Sequence, residues 1–191
     1  MIEFIHVFPW TNKLFTVDTK SKRLDDEKAK VFHMFLMKGM FLYKRARQDI
    51  QPGIAFLATR TTEPTENDWA KLLRIMLFLK ATQNEVSRMQ ADDTQTIKWY
   101  VDASFAVHKN FKSHTGATMT LGEGALCSVS AKQKVMSRSS TEAELVGLDD
   151  VISKVLWSKL FIEAQGHVVK TTIIYRDNTS SMKLEENGKA S

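Results

Sequence analysis

The sequence predicts an α/β protein: a mixed sheet built from three antiparallel strands, a helix, a parallel strand and a last helix, preceded by a small helical unit. IKWYVDASF sets Ile97, Trp99 and Val101 against Lys98, Tyr100 and Asp102, the period of two that marks a strand with unlike faces. From about Ser140 to Gln165 the chain reads as one long amphipathic helix, with Gly166 as its stop. Helical spacing also runs through Asp25 to Lys80, before any strand signal begins.

Taken in order, residues 1–24 show no sustained period, and Pro9, Asn12 and the polar run Asp18 to Arg23 predict an irregular segment. Residues 25–92 form the helical connecting unit. DDEKAKVFHMFLMKGMFLYKR places acids first and bases last, as the helix dipole favours, with Val31, Met34, Phe35, Phe41 and Leu42 as the buried stripe and Gly39 as a weak point. A short helix is predicted in QDIQPGIAFLATR. A third runs from about Thr65 to Lys80, with Pro64 at its start and Trp69, Leu72, Met76 and Leu79 on one face. Residues 93–191 carry the α/β pattern. TGATMTLGEGALCSVSAKQ gives two strands joined by Gly122-Glu123-Gly124 as a hairpin connection. TTIIYRD is a compact strand, and NTSSMKLEEN a short helix ended by Gly188.

Composition narrows the function. With 191 residues, 43% hydrophobic and 26% charged, the chain falls in the soluble globular class. The 27 Lys and Arg against 22 Asp and Glu leave a net charge of +5, and a pI near 9.3 favours a polyanionic partner, nucleic acid first. Cys127 is the single cysteine, which excludes an intrachain disulfide and a polythiolate metal site and fits a reducing compartment. MIEFIHVFPW lacks a basic leader and a long apolar core, and VFHMFLMKGMFLY is interrupted at Lys38 and is too short to cross a bilayer. No secretion signal and no membrane span are expected.

The acidic residues then ask for explanations. In SRSSTEAELVGLDD, Glu142 and Glu144 are two apart, so on a helix they point about 200° away from each other. Leu148, Val151, Val155 and Ile162 fall within about 40° of Glu144, which places that carboxylate on the stripe facing the sheet. Glu142 lies on the outer side and completes Ser139-x-x-Glu142, the capping-box spacing in which the glutamate reaches back to the cap residue's own N–H. Asp149 and Asp150 fall on the outer side as well. Glu142 thus has a structural role, whereas Glu144 is either a flanking carboxylate that reaches solvent or a functional one. Asp102 interrupts a strand, where aspartate is depleted, and is either a strand-end cap or a charge that needs a cation. Asp177 follows an apolar strand, as an N-cap or as a site residue at the carboxyl end of an open α/β sheet. Together Asp102, Glu144 and Asp177 would suit Mg²⁺, which prefers hard oxygen ligands.

YVDAS, KSHTG, SSTEAEL and IIYRDN, in this order and at these intervals, closely resemble the ribonuclease H region of a copia-type LTR-retrotransposon polyprotein. RQDIQPGIAFLATR followed by DWAKLLRIMLFLKAT resembles the segment between polymerase and ribonuclease H in the same family. The resemblance implies an RNase H-like fold and hydrolysis of the RNA strand of an RNA/DNA hybrid by two metal ions, Mg²⁺ with Mn²⁺ as a substitute. It puts Asp102, Glu144 and Asp177 on the first three of the family's four metal-binding carboxylates. It further implies a polymerase portion of the same polyprotein as partner, and a cytoplasmic, virus-like-particle location with a nuclear phase. Contacts to 2′-hydroxyls and phosphates would fall to Ser104, Ser128 and Asn178 and to Lys109, Lys112, Lys132, Lys134 and Arg138.

Two departures accompany the resemblance. The family's fourth carboxylate belongs to a segment after its last helix, so a chain ending at Ser191 is expected to be C-terminally truncated and a weak nuclease. Tyr100-Val101-Asp102-Ala103 has one aspartate where the polymerase turn has two, so nucleotidyl transfer is not expected. The alternative reading is a catalytically inactive retrotransposon relic that binds nucleic acid.

Overall fold

A computed structural model describes residues 8–177 of the chain, which divides between Ser87 and Arg88 into two compact units. The first is helical: α1 (Asp26–Tyr43), a 3₁₀ turn (Gln48–Ile50) leading into α2 (Gln51–Ala58), and α3 (Glu66–Ala81). Asp25 caps α1 by accepting from the Lys28 N–H, and Thr65 and Asp68 form a reciprocal capping box on α3.

The helices form where the sequence puts them, but the buried face of α1 is only partly the predicted stripe. Phe32, Leu36 and Gly39 face the core and Phe35 and Leu42 pack against it partly buried, whereas Val31, Met34 and Phe41 are exposed. This helix is apolar around most of its circumference, so periodicity alone does not select a face. Gly39 lies within α1. A Cβ there would sit 2.6 Å from Ile54 Cδ1, so the glycine lets α2 approach closely. On α3 the buried stripe is Leu72, Ile75 and Phe78, with Trp69 and Leu79 partly buried at its margins. Residues 8–24 hold no helix or extended strand yet are not loose: Leu14 and Leu24 lie in the core, and the Phe15 ring meets Phe56 edge-on at 5.3 Å.

The second unit contains β1 (Gln90–Ala91), β2 (Thr96–Ser104), β3 (His114–Thr120), β4 (Gly122–Glu123), β5 (Cys127–Lys132), α4 (Ser140–Ala164) and β6 (Thr171–Tyr175). Its main sheet has the order β5-β3-β2-β6, with β2 antiparallel to β3, β3 antiparallel to β5, and β6 parallel to β2. The mixed sheet is therefore present, compatible with the RNase H-like arrangement that the motifs imply. Alternation in β2 holds: Ile97, Trp99 and Val101 are buried, and Tyr100 and Asp102 exposed. Those three residues pack with Ala117 and Met119 of β3 and with Val151 and Val155 of α4 into one apolar core. Trp99 Nε1 donates to Ser158 Oγ at 3.2 Å, which pairs the buried indole N–H.

Three details depart from expectation. Gly122 and Glu123 are not a simple turn: they form β4, which pairs with β1 in a separate two-stranded sheet, and Gly124 follows at φ +75°. The outer face of α4 is more apolar than an amphipathic helix predicts, with Leu156, Trp157, Leu160 and Phe161 exposed and the Trp157 and Phe161 rings stacked at 4.9 Å. The predicted helix NTSSMKLEEN lies outside the described residues.

Candidate functional site

Pairing between β2 and β6 brings two acids together. Tyr100 and Tyr175 are register partners in the parallel ladder, and Asp102 and Asp177 each lie two residues further along. Asp102 is still within β2 and Asp177 follows just after β6 ends, so both acids stand at the same end of the sheet. Glu144 comes from the first turns of α4. Among the described residues, Asp102, Glu144 and Asp177 are the group that offers three ligand oxygens mutually within 4.8 Å.

The environment of Glu144 differs from that of its partners. Its side chain is 4% exposed, while both aspartates are exposed. Because β6 ends at Tyr175, β2 has no strand partner on that edge beyond Tyr100, and the Ala103 N–H donates to Glu144 Oε1 at 3.2 Å. Gly147, one turn on, keeps α4 close at this point: a Cβ there would stand 3.3 Å from Ala103 Cβ. Glu144 Oε2 is buried with no hydrogen-bond partner. Burial raises the Glu144 pKa above the usual carboxylate range, and Asp102 and Asp177 add to the rise, while the Ala103 N–H and Arg176 oppose it. A buried acid facing two others with a vacant acceptor atom is an arrangement that a divalent cation would relieve, by supplying positive charge and a partner for Oε2. Three carboxylates and no nitrogen or sulfur donor suit a hard cation such as Mg²⁺ or Mn²⁺.

Glu142 is separate from this cluster. Ser139 Oγ accepts from the Glu142 N–H at 3.1 Å, as a cap should, but Glu142 Oε2 reaches the N–H of Arg138 at 2.6 Å, one residue beyond the predicted Ser139. Asp150 also departs from expectation. It turns inward rather than outward, accepting from Thr115 Oγ1 at 3.0 Å.

The polar and basic residues sort by the ends of the strands. Ser104 closes β2, the loop 105–113 carries Lys109 and Lys112, Lys132 closes β5, Lys134 follows it, and Arg138 precedes α4, so all gather where Asp102 lies. Lys112 Nζ donates to the Lys134 carbonyl and ties the loop to that end of the sheet. Ser128 does not join them: it pairs with Thr118, itself in register with Tyr100, and Ser130 is the β5 residue in line with Asp102. Asn178 lies outside the described residues.

Sequence reasoning passed over two histidines in the same region. His108 Nε2 and His114 Nδ1 are 3.0 Å apart, and His114 Nε2 and Ser130 Oγ 2.7 Å apart, so the loop, β3 and β5 share a buried polar chain. Burial is the main cause that lowers both pKa values to about 4, which keeps the rings neutral at pH 7. KSHTG contained His114 in plain view, but a lone histidine in a strand carries no signal of a partner six residues away.

An open mixed α/β sheet with two acids converging at one end of the β2–β6 pair, and a third from the start of α4, defines a candidate cation site. The chain is 28% identical over 149 residues to the retrovirus-related Pol polyprotein from transposon TNT 1-94 of Nicotiana tabacum, covering 78% of this chain and 11% of that polyprotein. It is 30% identical over 140 residues to the Pol polyprotein from transposon RE1 of Arabidopsis thaliana, covering 70% of this chain and 10% of that one. Its homologues are thus retrovirus-related Pol polyproteins of plant transposons, and the chain corresponds to a region spanning about a tenth of their length. It is also 26% identical over 119 residues to secreted RxLR effector protein 161 of Plasmopara viticola, covering 62% of this chain and 84% of that protein. No family model and no solved structure matches the chain.

Proposed function

We propose that the second unit is a ribonuclease H-type nuclease module of a retrotransposon polyprotein, which holds divalent cations at Asp102, Glu144 and Asp177 and acts on the RNA strand of an RNA/DNA hybrid. One observation carries the reading: three carboxylates within 4.8 Å, one of them buried with an unpartnered oxygen. The order YVDAS, SSTEAEL and IIYRDN and the Pol polyprotein relatives support it. The polymerase portion of the same polyprotein is its partner, and a cytoplasmic particle its setting. No helix among the described residues is long and apolar enough to cross a membrane.

Bound Mg²⁺ would supply Lewis acidity, lowering the pKa of an attacking water and taking up charge on the departing 3′ oxygen. The chain's residues do the rest. The exposed Asp102 and Asp177 face the substrate side, while Glu144, fixed by the Ala103 N–H, sets the depth of the site. Lys109, Lys134 and Arg138, at the same end of the sheet, hold the phosphate backbone across the carboxylates.

The test is cleavage of a labelled RNA/DNA hybrid in Mg²⁺ or Mn²⁺ by the chain and by Glu144→Gln. Cation-dependent cutting of the RNA strand that Glu144→Gln abolishes supports the proposal. Cutting that survives Glu144→Gln, or that proceeds in EDTA, overturns the assignment. The relic reading takes its support from the charge count, three acids at the cluster among the described residues, and is favoured if hybrid binds but is cut in neither metal.

A further inference from the structure

The loop 105–113 joins the end of β2 to the start of β3, beside the carboxylates, and it is held in an unusual shape. Among the described residues, the two non-glycine residues with positive φ are both in it, Ala106 at φ 51° and Phe111 at φ 56°. For a bulky aromatic residue this left-handed conformation is a clear outlier, and such outliers persist only where the surroundings hold them. Here they do. The Phe111 N–H donates to the His108 carbonyl at 2.8 Å, the His108 N–H to the Lys112 carbonyl at 3.1 Å, and the Ala106 N–H to Ser113 Oγ at 3.1 Å. The His108–His114 contact fastens the loop's interior to β3, and Lys112 Nζ fastens its far side to the Lys134 carbonyl.

All this order holds up a ring that packs against little. Phe111 is 69% exposed, although strain and exposure together make phenylalanine a poor choice for stability alone. Asn110, one residue earlier, would tolerate the left-handed position far better. Lys109 and Lys112 flank the ring, so its surroundings attract a polyanion rather than an apolar protein surface.

We infer that Phe111 is a stacking platform for an unpaired nucleobase of a nucleic acid whose backbone follows the adjoining lysines. The inference builds on the nucleic-acid reading above and adds a substrate preference. Faces of paired bases are covered by their neighbours in a duplex, whereas a single-stranded tail presents one to an aromatic ring. A rigid, preorganised ring loses little entropy on stacking. Hybrids bearing a single-stranded tail are therefore favoured over blunt ones.

The experiment uses the whole chain in EDTA, so that binding is read apart from cleavage. Its probes are an RNA/DNA hybrid with 2-aminopurine in a short single-stranded tail, whose fluorescence stacking quenches, and the same hybrid blunt-ended. Wild type should quench the tail base. Phe111→Gly and Phe111→Ala should abolish quenching and weaken tailed-hybrid binding about tenfold with blunt binding unchanged, and Phe111→Trp should retain both. Phe111→Gly should melt no lower than Phe111→Ala, because glycine adopts the left-handed conformation without steric strain. Absence of quenching by wild type, quenching that survives Phe111→Gly, or an equal loss on tailed and blunt hybrids would overturn the platform. Failure of the chain to cut RNA in both Mg²⁺ and Mn²⁺ would count against the hydrolysis and leave the quenching result standing.

Discussion

Tyr100 and Tyr175 stand opposite each other in the parallel ladder, and their rings stack at 4.8 Å and 15° on the exposed face of the sheet. The pair fixes the register from which Asp102 and Asp177 follow two residues later. A slip of that register would displace the two carboxylates relative to each other.

Tyr175→Ala is therefore expected to act on the site as well as on the fold. Loss of an aromatic cross-strand pair should cost about 1 kcal/mol in denaturant unfolding. Affinity for Mg²⁺ or Mn²⁺, followed by calorimetry, should fall too, while Tyr175→Phe preserves both. A variant that loses stability and keeps its cation affinity would show that the backbone ladder alone aligns the acids.

Glu144 gives a pH dependence whose sign is set by its raised pKa. A carboxyl with a folded pKa above its unfolded value contributes stability fully present below the unfolded pKa and lost as pH rises through the folded one. Without metal, then, the charged Glu144 weakens the fold at neutral pH. Glu144→Gln, which keeps an acceptor for the Ala103 N–H, should melt higher than wild type at pH 7, with the gap closing toward acid pH. Added Mg²⁺ should stabilise wild type and not the variant. Glu142→Gln should behave differently, losing about 1 kcal/mol of helix-cap and dipole stabilisation with its cation response intact.

Legibility followed the strength of the local pattern. Strand β2 was readable because Ile97, Trp99 and Val101 alternate strictly with more polar residues, and α4 because Ser139 and Gly166 mark its ends. The same wheel separated Glu144 from Glu142, since a carboxylate on an apolar stripe violates the pattern that buries the helix. It misjudged Asp150, whose partner Thr115 lies on β3, because a wheel cannot see which polar groups the sheet offers. Spacing was only partly informative on α1, where apolar residues on several faces left tertiary packing to choose Phe32 and Leu36 over Val31 and Met34. The His108–His114 pair and the left-handed Phe111 were invisible for another reason: both depend on how a loop without periodicity closes.

The histidine pair supplies an opposite pH response. Both folded pKa values, about 4, lie below the ordinary 6.5, so the unfolded chain takes up protons first as the solution is acidified. Stability contributed by the neutral pair is fully present above about pH 6.5 and is lost progressively toward pH 4. Wild type should therefore lose melting temperature over that window. His108→Asn combined with His114→Asn should flatten the decline, while Glu144→Gln, which removes the opposing carboxyl response, should not flatten it.

The lysines at the carboxylate end of the sheet should appear in the salt dependence of binding. Each phosphate contact releases counterions, so affinity for hybrid falls with a log–log slope that grows with the number of contacts. Replacing Lys109, Lys112, Lys132 and Lys134 together by Ala should flatten the slope measured by anisotropy. Lys112 also fastens the loop to Lys134, so Lys112→Ala alone should lower stability as well. A slope unchanged in the quadruple variant would move the footprint to other cations, with Lys38, Lys44, Arg45 and Arg47 next to be tested.

Charge limits what the carboxylate cluster can hold. Asp102, Glu144 and Asp177 carry three negative charges when ionised, and two divalent ions about 4 Å apart repel strongly enough that a pair needs more negative charge, part of it from a substrate phosphate. Asp150, the other inward-turned acid on α4, is engaged by Thr115 and does not belong to the cluster. Calorimetry should therefore find one Mg²⁺ or Mn²⁺ ion bound without nucleic acid, and a second only when hybrid is present. Asp102→Asn and Asp177→Asn should each remove the first binding event, since two carboxylates leave little net attraction once Glu144 is held above its ordinary pKa. Cleavage by the chain should be weak in Mg²⁺ and stronger in Mn²⁺, which tolerates less ideal coordination. Two ions binding tightly before any substrate is added would mean that a further acid completes the site.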